Sequence, residues 1–390
     1  MQPSKHPQAA SKSRRSKWWL EPAIALGVAI AFAVIMPLFL PVFRLRLLGR
    51  FVALAITALG IDLIWGYTGL LSLGHGIFFA LGGYAFAMYL NLQLPEGQIP
   101  NFFSLYGVNE LPWIWQPFYS LPITLLSIVL IPAVVAGILG YLVFRNRIKG
   151  VYFSILTQAA LLVFFNFFNG QQELINGTNG LSTNRYEIFG VASGAPEAQL
   201  AFFQVSVLMV ALVYLLCRWL TQGRFGQMLV AIRDDEVRAR FAGYDPTGFK
   251  IVVFAISGAI AGISGALFTV QTGLITPSFM EVPFSIEMVI WVAVGGRASL
   301  IGAIIGTLLV RSAQTFLSEW SPEAWLFFQG VLFLIVVTVL PQGLYGWFRD
   351  WAIPQVRSRL GLQPRLVSYP AIDLNPEVQQ EQDELEHLDP

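Results

Sequence analysis

Charge is scarce in this chain of 390 residues: Asp, Glu, Lys and Arg together make up 12%. Soluble globular proteins carry about 25%. So little charge cannot cover a water-facing surface of this size, which excludes a soluble enzyme and a disordered chain. The formal net charge is +1, which excludes a nucleic-acid binder, because phosphate contacts need clustered excess Lys and Arg. Cys217 is the single cysteine, so no disulfide forms within the chain. The three histidines, His6, His75 and His387, are too scattered for a zinc site. Phosphate-cradle, nucleophile-elbow and paired-histidine metalloprotease motifs are missing. So are an arginine ladder and a filter-type carbonyl run. What is abundant is apolar: 55% of residues are hydrophobic. The sequence reads as an all-α, polytopic integral membrane protein.

A spanning helix needs about 20 predominantly apolar residues. Runs of this kind lie at 22–42, 51–67, 70–90, 121–144, 151–168, 200–218, 249–271, 299–316 and 325–346. A shorter run, Ser285 to Gly296, is too brief to span and reads as a half-helix broken at Gly295-Gly296. The expectation is therefore about 9–10 transmembrane helices with broken, glycine-rich segments, occupying residues 21–348. Lys and Arg counts place residues 1–20, the turn at Arg145–Lys149, residues 219–248 and the tail from 349 on the cytoplasmic side. The loops 91–120 and 169–199 then face outward. Arg44, Arg46 and Arg50 conflict with this count, because they follow the first span and fall outside. From Pro370 the tail carries seven acids and no Lys or Arg, as a solvated segment does.

The longest polar stretch between inner-side spans runs from Leu220 to Phe249. Phe225, Leu229 and Ile232 recur at helical spacing, and Arg233, Asp234, Asp235, Glu236, Arg238 and Arg240 form a mixed-charge cluster. Gly243 and Pro246 end the pattern. This is an amphipathic helix with an apolar stripe for a partner's groove, or else an ordinary solvated loop. Gly258, Gly262 and Gly265, and separately Gly302 and Gly306, are spaced for close helix packing.

Five ordered motifs resemble the branched-chain amino acid and urea permeases of ABC importers. They are Gly66-Tyr-Thr-Gly-Leu-Leu-Ser-Leu-Gly-His-Gly76, Lys149-Gly-Val-Tyr-Phe153, Asn176-Gly-Thr-Asn-Gly-Leu181, Gly223 to Tyr244, and Ser285-Ile-Glu287 continuing to Gly295-Gly296. They cover about residues 49–346. Within the family, Ile290-Trp-Val-Ala-Val-Gly-Gly-Arg297 and Arg233 to Tyr244 look more like the urea members. Branched-chain amino acids remain the alternative cargo, and a passive channel or carrier is the rival from another class.

The resemblance implies a bacterial inner-membrane permease subunit with no catalytic chemistry, no metal and no cofactor of its own. It implies a second, related permease subunit, two cytoplasmic ATPase subunits that bind ATP and Mg, and an external solute-binding protein. Gly223, Arg224, Gly226, Ala231, Arg233, Asp234, Asp235, Glu236 and Gly243 are the expected ATPase-coupling residues. Ser72, His75, Asn179 and Glu287 are the candidates for the translocation pathway. Dense glycines around Ser72 and His75 either unwind the helix toward a solute or pack it closely. Glu287 either meets solute or caps a helix N-terminus. The partner of Asp62 stays open.

Overall fold

The computed structural model describes residues 20–349 apart from 96–97, 185, 189, 322–323 and 341. The basic segment before Leu20 and the acidic tail lie outside the described residues. Residues up to Gly346 form one compact unit.

In chain order the helices are α1 (Leu20–Phe39), α2 (Val42–Thr68), α3 (His75–Asn91), α4 (Asn101–Leu105), α5 (Leu121–Arg145), α6 (Val151–Gly170), α7 (Gln172–Ile175) and α8 (Pro196–Gln222). Then come α9 (Arg224–Asp234), α10 (Glu236–Phe241), α11 (Pro246–Thr272), α12 (Val282–Gly295), α13 (Leu300–Trp320) and α14 (Ala324–Val339). Seven of them (α1, α2, α5, α6, α8, α11 and α13) are long and apolar enough to cross a membrane. α3, α12 and α14 are shorter, at 17, 14 and 16 residues. The protein is a polytopic all-α membrane protein. Strand pairing is confined to two-residue ladders. β1 (Leu181–Ser182) pairs antiparallel with β4 (Leu274–Ile275), and β2 (Glu187–Ile188) with β3 (Val191–Ala192).

α11 is the centre of the bundle, touching α2, α3 and α5. Lipid is as apolar as Leu, so helices gain little from apolar side chains alone, and small residues and hydroxyls draw them together. α11 supplies both. Ser257 and Ser264 donate to the α2 carbonyls of Gly60 and Ala53, each at 2.6 Å. A side chain on Gly258 would meet Ala136 and Pro132 of α5, and one on Gly262 the Ile128 carbonyl. One on Gly265 would collide with the Phe79 carbonyl of α3. Gly302 and Gly306 of α13 abut the backbone of α12 at Gly295 and Trp291.

The helix boundaries differ from the apolar runs in three places. α2 begins at Val42, so Arg44, Arg46 and Arg50 lie in its first turns. Arg46 Nε and Arg50 Nε both donate to the Gln271 carbonyl, at 3.0 and 3.1 Å, and Arg46 also bonds Asn184. They complete the C-terminal carbonyls of α11, where a helix dipole favours cations. That is why Arg46 and Arg50 sit at the face opposite residues 223–244. Secondly, α3 starts at His75 and not at Leu70. Gly69 turns the chain out of α2 with φ of 73°, and residues 69–74 are unwound. α6 satisfies that backbone: Thr157 Oγ1 accepts from Leu73 N at 3.0 Å, and Ser154 Oγ donates to the Leu71 carbonyl at 2.6 Å. Non-helical backbone at membrane depth survives only with such partners. Thirdly, residues 325–346 are not one helix, because α14 ends at Val339.

Two glycine substitutions separate packing from propensity. Gly265→Val is expected to abolish accumulation of the folded protein in membranes. Gly27→Ala, with open space around its Cβ position, is expected to leave the detergent-extracted protein's melting temperature unchanged. A folded Gly265→Val protein with wild-type melting would contradict this account of α11.

Candidate docking site and its latch to the membrane helices

The segment after α8 is two helices. Asp235 breaks them, with φ of −156° and ψ of 95°, and its carboxylate accepts from Arg238 N at 2.9 Å as the N-cap of α10. An acid that caps so well competes with helix continuation, so the single helix expected over 223–242 does not form. α9 leaves α8 through a tight reversal at Gly223. A side chain on Gly226 would collide with the Thr221 carbonyl. Gly243, with φ of 87°, turns the chain toward α11. There Asp245 caps the helix through Thr247 N at 3.0 Å.

The apolar stripe of α9 does not face outward. Leu229 and Ile232 are buried, and Phe225 lies against Phe249, with ring centroids 5.8 Å apart. The stripe packs the segment onto α2, α8 and α11. The outward apolar surface is one the periodicity search missed. Val237 and Phe241 lie four apart on α10, with Phe241 88% exposed, and Tyr244 is exposed just past the turn at Gly243. Ala231, Asp234, Asp235 and Arg238 are exposed around it, as is Arg224 at the start of α9. A search for longer apolar repeats passes over this face because the charges of 233–240 interrupt it.

Glu236 fixes the segment. Its carboxylate meets Lys250 of α11 at 2.7 Å, Arg240 of α10 at 2.9 Å and Lys149 of the α5–α6 turn at 3.1 Å. Burial pushes its pKa up, but hydrogen bonds from Lys250, Arg240 and Lys149 outweigh that and bring it down to about 2. Arg233 makes a second tie. Its Nη1 donates to the Gly66 carbonyl at 3.0 Å, near the end of α2, and its Nε pairs with Asp234 at 3.0 Å.

One turn back from Gly66, Asp62 is fully buried and its Oδ1 accepts from Ala298 N at 2.7 Å. Ala298 lies in the junction between α12 and α13, which turns at Gly296 with φ of 118° and Ala298 with φ of 58°. Ser299 then caps α13 through Gly302 N. Asp62 thus closes the break that Gly295-Gly296 announce. The 223–244 segment, the end of α2 and the α12–α13 junction form one continuous set of contacts.

The four pathway candidates are not brought together. Ser72 and His75 are buried inside the bundle. Ser72 Oγ accepts from Gly74 N at 3.3 Å. His75 Nε2 lies 2.7 Å from Ser257 Oγ. Since that hydroxyl donates to Gly60, the imidazole carries its proton on Nε2. Both are packed closely within the bundle. Asn179 is exposed in the turn that follows α7. Glu287 is no helix cap. It lies in the second turn of α12 and pairs with Arg311 of α13 at 3.1 Å. A wide groove between α1, α2, α8 and α13 is lined almost wholly by apolar side chains and contains none of the four. Trp113 is exposed, whereas Trp115 donates to the Leu174 carbonyl at 2.9 Å.

Seven long apolar helices around unwound, side-chain-satisfied backbone, with a charged segment bound to one end, make a multi-pass membrane protein. Residues 43–337 match the model of the branched-chain amino acid transport system permease component, and the chain belongs to that family. It is 26% identical over 330 residues to the high-affinity branched-chain amino acid transport system permease protein LivM of Salmonella typhimurium, covering 78% of this chain and 70% of the relative. The Escherichia coli counterpart is 27% identical, over 79% and 69%. A probable LivM of Methanocaldococcus jannaschii is 26% identical, over 74% and 89%. No solved structure matches.

Glu236 has a folded pKa below its ordinary 4.5, so its contribution is complete above that value and is lost as pH falls through about 2. Amide exchange across α10 is therefore expected to stay equally protected from pH 7 to pH 5, after correction for intrinsic rates. Glu236→Gln removes charge-assisted bonds worth on the order of 2 kcal/mol and is expected to speed that exchange about tenfold or more. Unchanged protection in Glu236→Gln would remove Glu236 as the tie.

Proposed function

We propose that this chain is the permease subunit of an ATP-driven importer, in which α9 and α10 receive the ATPase motion. One observation carries the reading. The segment is held to the bundle by its own apolar face and by Glu236 and Arg233, while α10 presents Val237 and Phe241 outward, with Tyr244 just beyond its end, ringed by charge. A helix that buries one face at home and shows an apolar anchor outward suits docking into a partner's groove. Arg233 and Asp62 then connect the docked segment to the α12–α13 junction, an arrangement suited to passing a rigid-body shift to the spans. The partners of this reading are two nucleotide-binding ATPase subunits, a second permease chain and an external solute-binding protein. The membrane is the bacterial cytoplasmic membrane, with residues 223–244 inside.

Branched-chain amino acids are the cargo that the relatives' names support. A second reading, urea, rests on the stretches 290–297 and 233–244. The first stretch also has a packing role: Trp291 to Gly295 are buried, with Trp291 and Gly295 lying against α13. The relatives described above carry amino acids in their names, so urea stands as the second reading.

Uptake of labelled leucine and labelled urea at low concentration, in cells lacking the gene and in complemented cells, distinguishes the cargoes. Leucine uptake is expected to depend on the gene; dependence of urea uptake alone would replace the cargo and keep the machine. Phe241→Ala with Val237→Ala is expected to lower uptake about tenfold or more, the scale of losing a central apolar anchor, at normal membrane abundance. Wild-type uptake by that variant would reject docking through α10.

A further inference from the structure

Glu287, Arg311 and Gln314 make a polar cluster at membrane depth that the docking face does not explain. Glu287 sits on α12. Arg311 and Gln314 sit one turn apart on α13. Arg311 Nη1 bonds Glu287 Oε2 at 3.1 Å and also Gln314 Oε1, and Gln314 Nε2 donates to Glu287 Oε1 at 3.2 Å. Arg311 lies eleven residues beyond Leu300, about 17 Å along its helix at 1.5 Å per residue. That is near mid-depth in a hydrocarbon layer of about 30 Å.

The cluster is neither sealed nor balanced. The side chains of Arg311 and Glu287 keep 19% and 15% exposure. Charges at this depth face a bundle interior or a water-filled cavity, not lipid. The outer half of α13 is polar on this side, with Ser312, Thr315 and Ser318 following Arg311. Donors exceed acceptors. Arg311 Nε and the Nε1 of the fully buried Trp291, one turn along α12 from Glu287, are buried and have no acceptor among the described residues. The Arg311 guanidinium stands 5.7 Å from the Trp291 ring and 5.8 Å from the Phe51 ring, which hold it without using its hydrogen-bonding edge.

We propose that this cluster is a polar subsite on the wall of the solute path. It takes a small solute that carries N–H donors and an oxygen acceptor within one short framework. The Glu287 carboxylate accepts from the solute's N–H groups, and Arg311 donates to its oxygen. Urea and the head of an α-amino acid share that chemistry. The assignment rests on the importer reading, and it makes the α12–α13 face one that water and solute reach.

Two measurements test it. In the first, cells expressing Glu287→Gln, Arg311→Gln, or the charge-exchanged pair Glu287→Arg with Arg311→Glu take up labelled urea and labelled leucine. Each single variant is expected to lose about tenfold or more of whichever uptake the wild type supports, the scale of a lost charge-assisted hydrogen bond. The exchanged pair is expected to stay equally low. Recovery in the exchanged pair at wild-type abundance would mean that the ion pair only clamps α12 to α13, and would overturn the proposal. In the second, Thr315→Cys is exposed in intact cells to a membrane-impermeant maleimide. Cys217 is fully buried and leaves a silent background. Labelling is expected, and the solute that slows it (urea or leucine) names the source. An unlabelled Thr315→Cys, in protein of normal abundance, would show a dry face and overturn the proposal. If the wild type restores neither uptake, the importer reading fails, while labelling still decides whether the face is wet.

Discussion

The bundle depends on the close approach of α11 to its neighbours. Everything else is hung from that contact. Ser257 and Ser264 give α2 two hydroxyl bonds, and Gly258, Gly262 and Gly265 let α3 and α5 come to backbone distance. In a membrane each such bond is worth roughly 0.6 kcal/mol and rarely above about 1.7. No single one holds the fold. Their effect lies in removing the alternatives, since a side chain at Gly265 leaves α3 nowhere to go. With α11 fixed, Lys250 at its first turn and Gln271 at its end are fixed too. Those two points anchor the 223–244 segment at one face and Arg46 and Arg50 of α2 at the other.

Charge in this molecule is spent at joints. Asp62 closes the α12–α13 turn, Glu236 gathers Lys149, Arg240 and Lys250, and Glu287 joins α12 to α13 through Arg311. Each acid lies where the backbone is broken or where two elements must keep register. Buried ion pairs are poor sources of net stability against apolar packing and are better suited to fixing one arrangement over another. A transport subunit that must change shape without coming apart has a use for joints of this kind.

Much of the fold was legible in the sequence, and the limits are physical. Apolar runs located the spans, because lipid demands about 20 such residues whatever their neighbours. The glycine spacings pointed to close packing, although their partners were invisible. The half-helix before Gly296 was legible from its length. The unwound stretch 69–74 was not placed, because its stability comes from Ser154 and Thr157, more than 80 residues away. The 223–244 segment stands out by its charge and its family likeness. Its direction was misread, because periodicity says that a helix has an apolar face and not what that face touches. Leu229 and Ile232 turned inward, and Phe241 was the residue left out. Arg311 escaped notice because an arginine in an otherwise apolar run reads as an interruption until its acid is seen on the next helix.

α1 stands apart from this economy. It is the one long span outside the matched region 43–337, and it rests chiefly on α8 with little purchase on α2. Most of its side chains are exposed or half-buried, with Ala29 buried against the bundle. Within it Ala29 joins Leu45 and Val52 of α2 and Phe203, Val207 and Ala211 of α8 in one apolar cluster. α1 thus packs on the flank of the bundle, chiefly against α8, and lines an apolar groove together with α2, α8 and α13.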